Sequence, residues 1–167
     1  MKIHAELNIM TKIIPKRMLI DADACPVSVK KAVLEISSHH PIESIFVASI
    51  AHSGSERLGG NWIFVDAVKE EADMYIINHS SRGDIVITQD YGLASLLLPK
   101  GVHVVSPRGK RYTEFNIDTL LQDRYLSAKA RKAGGRTKGP ARFTEEDLQR
   151  FILSLKKILS NEQGIGS

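Results

Sequence analysis

An α/β fold on a central, mostly parallel sheet of about five strands is predicted by three observations. Short apolar runs, among them Met18-Leu19-Ile20, Ile85-Val86-Ile87-Thr88 and the stretch from Val102 to Val105, alternate with segments of helical spacing. That alternation argues for parallel strands joined by right-handed crossovers. The runs are short and unbroken, as in buried strands rather than membrane spans of about 20 residues. Finally, acidic residues recur where a strand hands over to a helix, at Asp21, Asp23 and Asp90. In a parallel sheet those handovers share one edge, and ligands bind along it.

The elements follow in order. Residues 1–17 carry Lys2, Lys12, Lys16 and Arg17 without a continuous apolar stretch, so they are expected to be an extension rather than a secretory signal. The first strand comes next, and Pro26 suits the opening turn of a helix, where its missing N–H is not needed. Val29, Ala32, Val33 and Ile36 then fall at amphipathic spacing. Ser37 to Pro41 ends that helix, and His39-His40 belongs to a polar turn. Glu43–Ser49 reads as the second strand and Trp62–Val65 as the third. The loop of residues 51–61 is rich in turn formers but lacks the spacing of a phosphate-binding loop.

From Ala67 to about His79 the periodicity predicts a helix with Val68, Ala72, Tyr75 and Ile76 inward. At roughly 100° per residue, Asp66, Glu70 and Asp73 then form an acidic stripe on the other side. A fourth strand (85–88), a helix (91–98) and a fifth strand (102–105) follow. Residues 116–133 read as a helix with Ile117, Leu120, Leu121 and Tyr125 inward, and residues 133–141 as a basic loop. Thr144 to Asp147 makes a capping box. The last helix is amphipathic, with Leu148, Phe151, Ile152, Leu155, Ile158 and Leu159 on one face. The domain is expected over residues 18–160, with a tail at 161–167.

Composition narrows the function. The chain has 167 residues, enough for one domain with a substantial core. Its single cysteine, Cys25, excludes an intrachain disulfide and a multi-cysteine zinc site, and suits a reducing cytoplasm. The formal net charge is +4, unevenly spread. Between Arg108 and Arg142 ten Lys and Arg residues face three acids, a balance of +7 that leaves −3 for the remainder. An acidic part joined to a basic part suits an enzyme of a polyanion; a solvated helix face explains the same charges.

The acids carry the chemistry. Residues i and i+2 of a strand point the same way, so Asp21 and Asp23 would share one point. Like charges held that close repel unless a proton or cation intervenes, and hard divalent cations prefer carboxylate oxygens. Asp90 joins them from the fourth strand. Helix capping by Asp23 with a solvated Asp21 is the alternative. Arg108, in the Pro107-Arg-Gly109 turn on the same edge, is placed to reach a substrate phosphate.

Six motifs stand in one order along the chain: Asp21-Ala-Asp-Ala-Cys-Pro26, Glu70-Glu-Ala-Asp73, Gly83-Asp-Ile-Val-Ile-Thr-Gln-Asp90, Pro107-Arg-Gly109, Tyr112-Thr113 with Asn116-Ile117, and Gly139-Pro140. In these the chain resembles the YaiI/YqxD family of uncharacterised bacterial proteins, which have a PIN-like fold. The resemblance spans about residues 18–155. It implies a three-layer α/β/α domain similar to small metal-dependent nucleases. On that resemblance Asp21, Asp23, Asp73 and Asp90 would be catalytic, and with Glu70 would hold Mg²⁺ or Mn²⁺. Asp118 is the nearest match to a further acidic position. Arg108, Lys129 and Arg131 would bind the substrate.

The expected function is therefore a divalent-metal-dependent phosphodiesterase acting on RNA or another nucleic acid, with no membrane partner. Two alternatives stand beside it. Asp21-x-Asp23 mimics the nucleophile and acid of a haloacid-dehalogenase-type phosphatase, although Gly83-Asp84 precedes its strand rather than following one. The basic segment also suits a non-catalytic RNA-binding module.

Overall fold

The computed structural model describes residues 16–52, 54, 58–68, 70–136 and 141–162. Strand β1 (Arg17–Asp21) is followed by α1 (Val27–Ser38), β2 (Glu43–Ser49), β3 (Asn61–Val65), α2 (Glu71–His79) and β4 (Ile85–Ile87). Then come α3 (Tyr91–Leu97), β5 (His103–Val105), β6 (Arg111–Tyr112), α4 (Ile117–Lys132) and α5 (Glu145–Glu162). The strands form one sheet in the order β3-β2-β1-β4-β5-β6. All pairings are parallel except that of β6, which runs antiparallel to β5. The chain winds outward from β1 to β3, then returns to lay β4 on the other side of β1. Strand order reverses there, and an open α/β sheet leaves a crevice at that point.

Alternation along the strands makes two cores and three layers. Met18, Ile20, Phe46, Ile85 and Ile87 face Val29 and Val33 of α1 with Phe151 and Leu155 of α5. Leu19, Val47, Val86 and Val104 face the other way, toward Ile76 of α2, Leu97 of α3 and Ile117 of α4. The three-layer α/β/α arrangement expected from the sequence is present. Asp21 follows Leu19 by two residues and so belongs to the side of the sheet covered by α2 and α3. No helix among the described residues is long and apolar enough to cross a membrane.

Three expectations need correction. The helix predicted from Ala67 begins at Glu71, because Glu70 sits at φ 82°, a left-handed conformation that no helix can pass through. Val68 is consequently 66% exposed instead of buried, and Asp66, Glu70 and Asp73 do not form a stripe on one helix. Tyr125 is 65% exposed. Ile117 of α4 is buried, with Leu120 and Leu121 half-buried beside it, and most of the remainder of that helix is exposed. The antiparallel β6 was not expected; two residues carry no periodic signal.

The Pro107-Arg-Gly109 turn has a packing reason. Gly109 adopts φ +87°, and a Cβ there would stand 2.5 Å from the carbonyl carbon of Arg150. The missing side chain lets the turn lie on α5, where Ser154 Oγ donates to the Gly109 carbonyl at 2.6 Å. The capping box closes as predicted: Thr144 N–H donates to Asp147 Oδ2 at 2.9 Å, and Asp147 N–H to Thr144 Oγ1 at 3.1 Å. Residues 1–15, most of the loop tip near Ser55, residues 137–140 of the basic loop and the end of the predicted tail lie outside the described residues.

Candidate active site

Parallel pairing sets Ile20 beside Ile87, so the next residues, Asp21 and Thr88, emerge together at the carboxyl ends of β1 and β4. Thr88 is 1% exposed. Its hydroxyl donates to Asp21 Oδ2 at 2.9 Å and accepts the Asp90 N–H at 3.0 Å. One buried hydroxyl thus fixes both aspartates. Asp90 also caps α3, its Oδ1 accepting from the N–H groups of Gly92 at 2.8 Å and Leu93 at 3.2 Å. Asp23 reaches the edge by a different route from that expected. Because β1 ends at Asp21, strand alternation does not aim Asp23. Its carboxylate instead accepts the N–H of Ser49, at the end of β2, with both oxygens at 3.1 Å.

Asp73 enters from the first turn of α2. Burial pushes its carboxyl up to about 6, helped by the negative charges of Asp90, Asp21 and Glu70 and by a hydrogen bond with Asp90. Burial also raises Asp21, against the Thr88 hydrogen bond, and the charges of Asp23 and Asp90 add to the rise. Both shifts are those of carboxylates that are buried first and set beside other carboxylates second. Asp73 thus faces Asp90 and Asp21 and lines one cleft with Asp90 and Glu70, whereas the charge of Asp23 bears on Asp21 and not on Asp73. Glu70 stands over the same place on its left-handed backbone, a conformation that costs on the order of 1–3 kcal/mol and concentrates at functional sites. A cleft of about 650 Å³ opens there, lined by Glu70, Asp73, Asp90 and Arg124 with Met74 and Leu96 among its apolar walls.

The donors are all hard carboxylate oxygens, which suits Mg²⁺ or Mn²⁺. Among the described residues, however, no three His, Cys, Asp or Glu side chains stand close enough to form a ready ligand set. Asp118 lies exposed in the first turn of α4, where a carboxylate complements the helix dipole. Asp84, the other acid near β4, is at the opposite edge. It accepts from the N–H groups of Arg17 at 3.0 Å and Ser81 at 2.8 Å, and pairs with the Arg17 guanidinium at 3.6 Å.

The cations divide into two groups. Arg108 lies on the carboxyl edge, but its guanidinium is held by Asp147 at 2.8 Å and by the Ala141 carbonyl, and stacks 5.6 Å from the Phe143 ring. Its observed work is to tie the β5–β6 turn to α5. Lys129 and Arg131 are exposed in the last turns of α4. Arg124 does reach the acids, with Nη1 at 3.4 Å from Asp90 Oδ1. Sequence reasoning passed over Arg124 and the bridging role of Thr88. Arg124 was one of ten basic residues in a row of mixed charge, and only the contact of α4 with α3 singles it out. Cys25 is buried, and burial pushes its thiol up to about 12, so it is inert at neutral pH.

The fold and this rim define a class: three-layer α/β/α proteins with an acidic crevice at the strand-order reversal. The family model described as "Uncharacterized BCR, YaiI/YqxD family" matches residues 19–161, and the chain belongs to that family. A UPF0178 protein of Bacillus cytotoxicus is 52% identical over 149 residues, covering 89% of this chain and 96% of the relative. One from Bacillus velezensis is 48% identical over 153 residues, covering 91% and 90%. One from Listeria monocytogenes serotype 4b is 44% identical over 146 residues, covering 87% and 99%. No solved structure matches the chain significantly.

Proposed function

We propose that this protein is a divalent-metal-dependent phosphodiesterase acting on single-stranded nucleic acid, RNA in the first place, in a PIN-like manner and in the cytoplasm. The observation that carries the reading is the grouping of Glu70, Asp73 and Asp90 around one cleft at the sheet's reversal point, where burial and neighbouring carboxylates push Asp73 up to about 6. Burying and crowding acids is unfavourable in the free protein, and a bound cation would offset that cost. Asp21, Asp23, Asp73 and Asp90, with Glu70, would hold Mg²⁺ or Mn²⁺. Such an ion supplies an activated water and charge stabilisation at phosphorus.

The chain's own groups have distinct tasks. Thr88 fixes the carboxylate of Asp21, and the N–H groups of Gly92 and Leu93 fix that of Asp90. Asp73 holds or releases a proton near pH 6, so cation binding would displace protons below that pH and not above it. Arg124 offers a guanidinium to a phosphate crossing the cleft. Labelled single-stranded RNA incubated with Mn²⁺ tests the reading: wild type should cleave, and Asp90→Asn should not. Wild type that leaves RNA and single-stranded DNA intact under these conditions sinks it.

One observation favours a second reading. Arg124 already places a cation on Asp90, and a non-catalytic RNA-binding module needs nothing more. The phosphatase alternative lacks comparable support, because Asp84 stands at the far edge of the sheet.

A further inference from the structure

Gln89 and Tyr91 flank Asp90 in sequence, yet they line a different hollow. This pocket, about 380 Å³, is walled by Gln89, Tyr91, Ser106, Arg108, Lys110 and Tyr112. Asp90 itself lines the acidic cleft, so a partition one residue wide separates the two. Their chemistry differs sharply. The cleft holds three carboxylates, whereas the lining of the pocket has none and carries two cationic residues.

Hydrogen bonds and ring packing tie the pocket's walls together. Tyr112 is 2% exposed, and burial holds its phenol well above the usual range, so it stays neutral. Tyr112 bonds to the Ser106 hydroxyl, which in turn accepts the Lys110 N–H at 3.0 Å. The turn is closed further by Ser106 N–H to the Lys110 carbonyl at 2.8 Å. Tyr91 packs edge-on against Tyr112 with ring centroids 5.6 Å apart, which leaves Tyr91 half-exposed to the pocket. Gln89 spends one amide hydrogen on the Ala24 carbonyl at 2.6 Å and keeps its amide oxygen as an acceptor. The Lys110 ammonium is exposed and has no partner among the described residues.

A half-exposed aromatic ring, a polar amide and hydroxyl, and an unpaired ammonium match a flat heteroaromatic ring bearing a phosphate. We infer that the pocket binds one unpaired nucleobase of a single-stranded polynucleotide, stacked on Tyr91 with its phosphate on Lys110, next to the phosphate that crosses Asp90. The inference rests on the polynucleotide reading above but needs neither metal nor cleavage. It also gives direction to the strand's path: from the basic pocket, over Asp90, into the acidic cleft toward Arg124.

The test is binding of a fluorescein-labelled single-stranded hexaadenylate to the full chain in EDTA, read by anisotropy over a salt series. Tyr91→Leu should bind about tenfold more weakly, the loss of one stacked base, and Tyr91→Phe should stay within about twofold of wild type. Lys110→Ala, an exposed change, should lower the slope of log affinity against log salt by about 0.7, one single-strand phosphate contact. Wild-type affinity in Tyr91→Leu, an unchanged salt slope in Lys110→Ala, or no hexaadenylate binding by wild type overturns the inference. The two readings fail separately. Binding that follows Tyr91 and Lys110 without any Mn²⁺-dependent cleavage removes the nuclease and leaves the pocket. Cleavage that depends on Asp90 but ignores Tyr91 and Lys110 does the reverse.

Discussion

Asp147 and Asp73 are both aspartates near the first turn of a helix, and the fold treats them in opposite ways. Asp147, at the start of α5, accepts the Thr144 N–H and faces two guanidinium groups, Arg150 at 2.5 Å and Arg108 at 2.8 Å. The Thr144 amide, with Arg150 and Arg108 behind it, holds its carboxyl below the usual range. Asp73, at the start of α2, faces Asp90, Asp21 and Glu70 and rises to about 6. One acid is paired with cations of its own chain, and the other is set among carboxylates. On the function proposed above, the contrast separates an acid that holds the fold from one that would take a ligand.

Breaking each side should have opposite consequences, and the largest falls on chemistry. Asp90→Asn should reduce Mn²⁺-dependent RNA cleavage by about 10³-fold, the scale of losing one preorganised electrostatic group. Its affinity for RNA should stay unchanged or tighten, since a negative charge leaves the path. A cleavage assay paired with anisotropy checks both halves. Cleavage that survives the substitution places the chemistry elsewhere.

Stability comes next. Gly109→Ala forces a Cβ against the Arg150 backbone at a positive φ, and should cost on the order of 3 kcal/mol by denaturant titration. Asp147→Ala should also lower the melting temperature, because it leaves Arg108 and Arg150 without their shared partner. Asp73→Asn should raise it at pH 7. A lower melting temperature in Asp73→Asn would mean that Asp73, like Asp147, is a structural acid.

The pH dependence follows with opposite signs. Asp73 titrates near 6 in the folded chain against an ordinary 3.8, so between those values the folded state keeps a proton the unfolded state has lost. Its favourable contribution is full below about 4 and disappears as pH rises through 6. Asp147 titrates below its ordinary value, so its contribution is present above about 4 and is lost on acidification. Melts across pH 3 to 8 should show the falling limb between 4 and 6 shrink in Asp73→Asn, the remainder being that of Asp21, which is also raised. Millimolar Mn²⁺ at pH 7 should stabilise wild type, by about 2.7 kcal/mol if it reaches 100 times its dissociation constant.

What was legible in the sequence follows from the range of the forces involved. Strand runs, the α5 face and the capping box depend on neighbours within a turn or two, and they stand where the pattern put them. The convergence of Asp21 and Asp90 was also readable, because parallel topology forces strand ends to one edge. Glu70 was not. Nothing local announces a glutamate at φ 82°, and that one dihedral shortens α2 and exposes Val68. The pairing of Arg108 was hidden for the same reason: its partner Asp147 is 39 residues away. Asp23 was placed on the right edge by a wrong argument, since Ser49, not strand alternation, holds it.

The smallest effect tests how far the contrast extends along α4. Lys129 and Arg131 were expected to guide RNA together, but their positions differ. Arg131 follows Arg124 by seven residues and so shares the helix face that meets Asp90, whereas Lys129 lies about 140° around from Arg124. Both stand near the helix C-terminus, where a cation complements the dipole by about 0.3–1 kcal/mol whatever its other role. A small loss of melting temperature is thus expected from either alanine variant and decides nothing. The salt dependence of RNA affinity does decide. Arg131→Ala should lower the slope by about 0.7, one phosphate contact, while Lys129→Ala should leave it unchanged. Equal slopes for the two variants would mean that the basic turns of α4 only cap the helix, or that RNA approaches over the other face. The proposed nucleic-acid path would then end at Arg124.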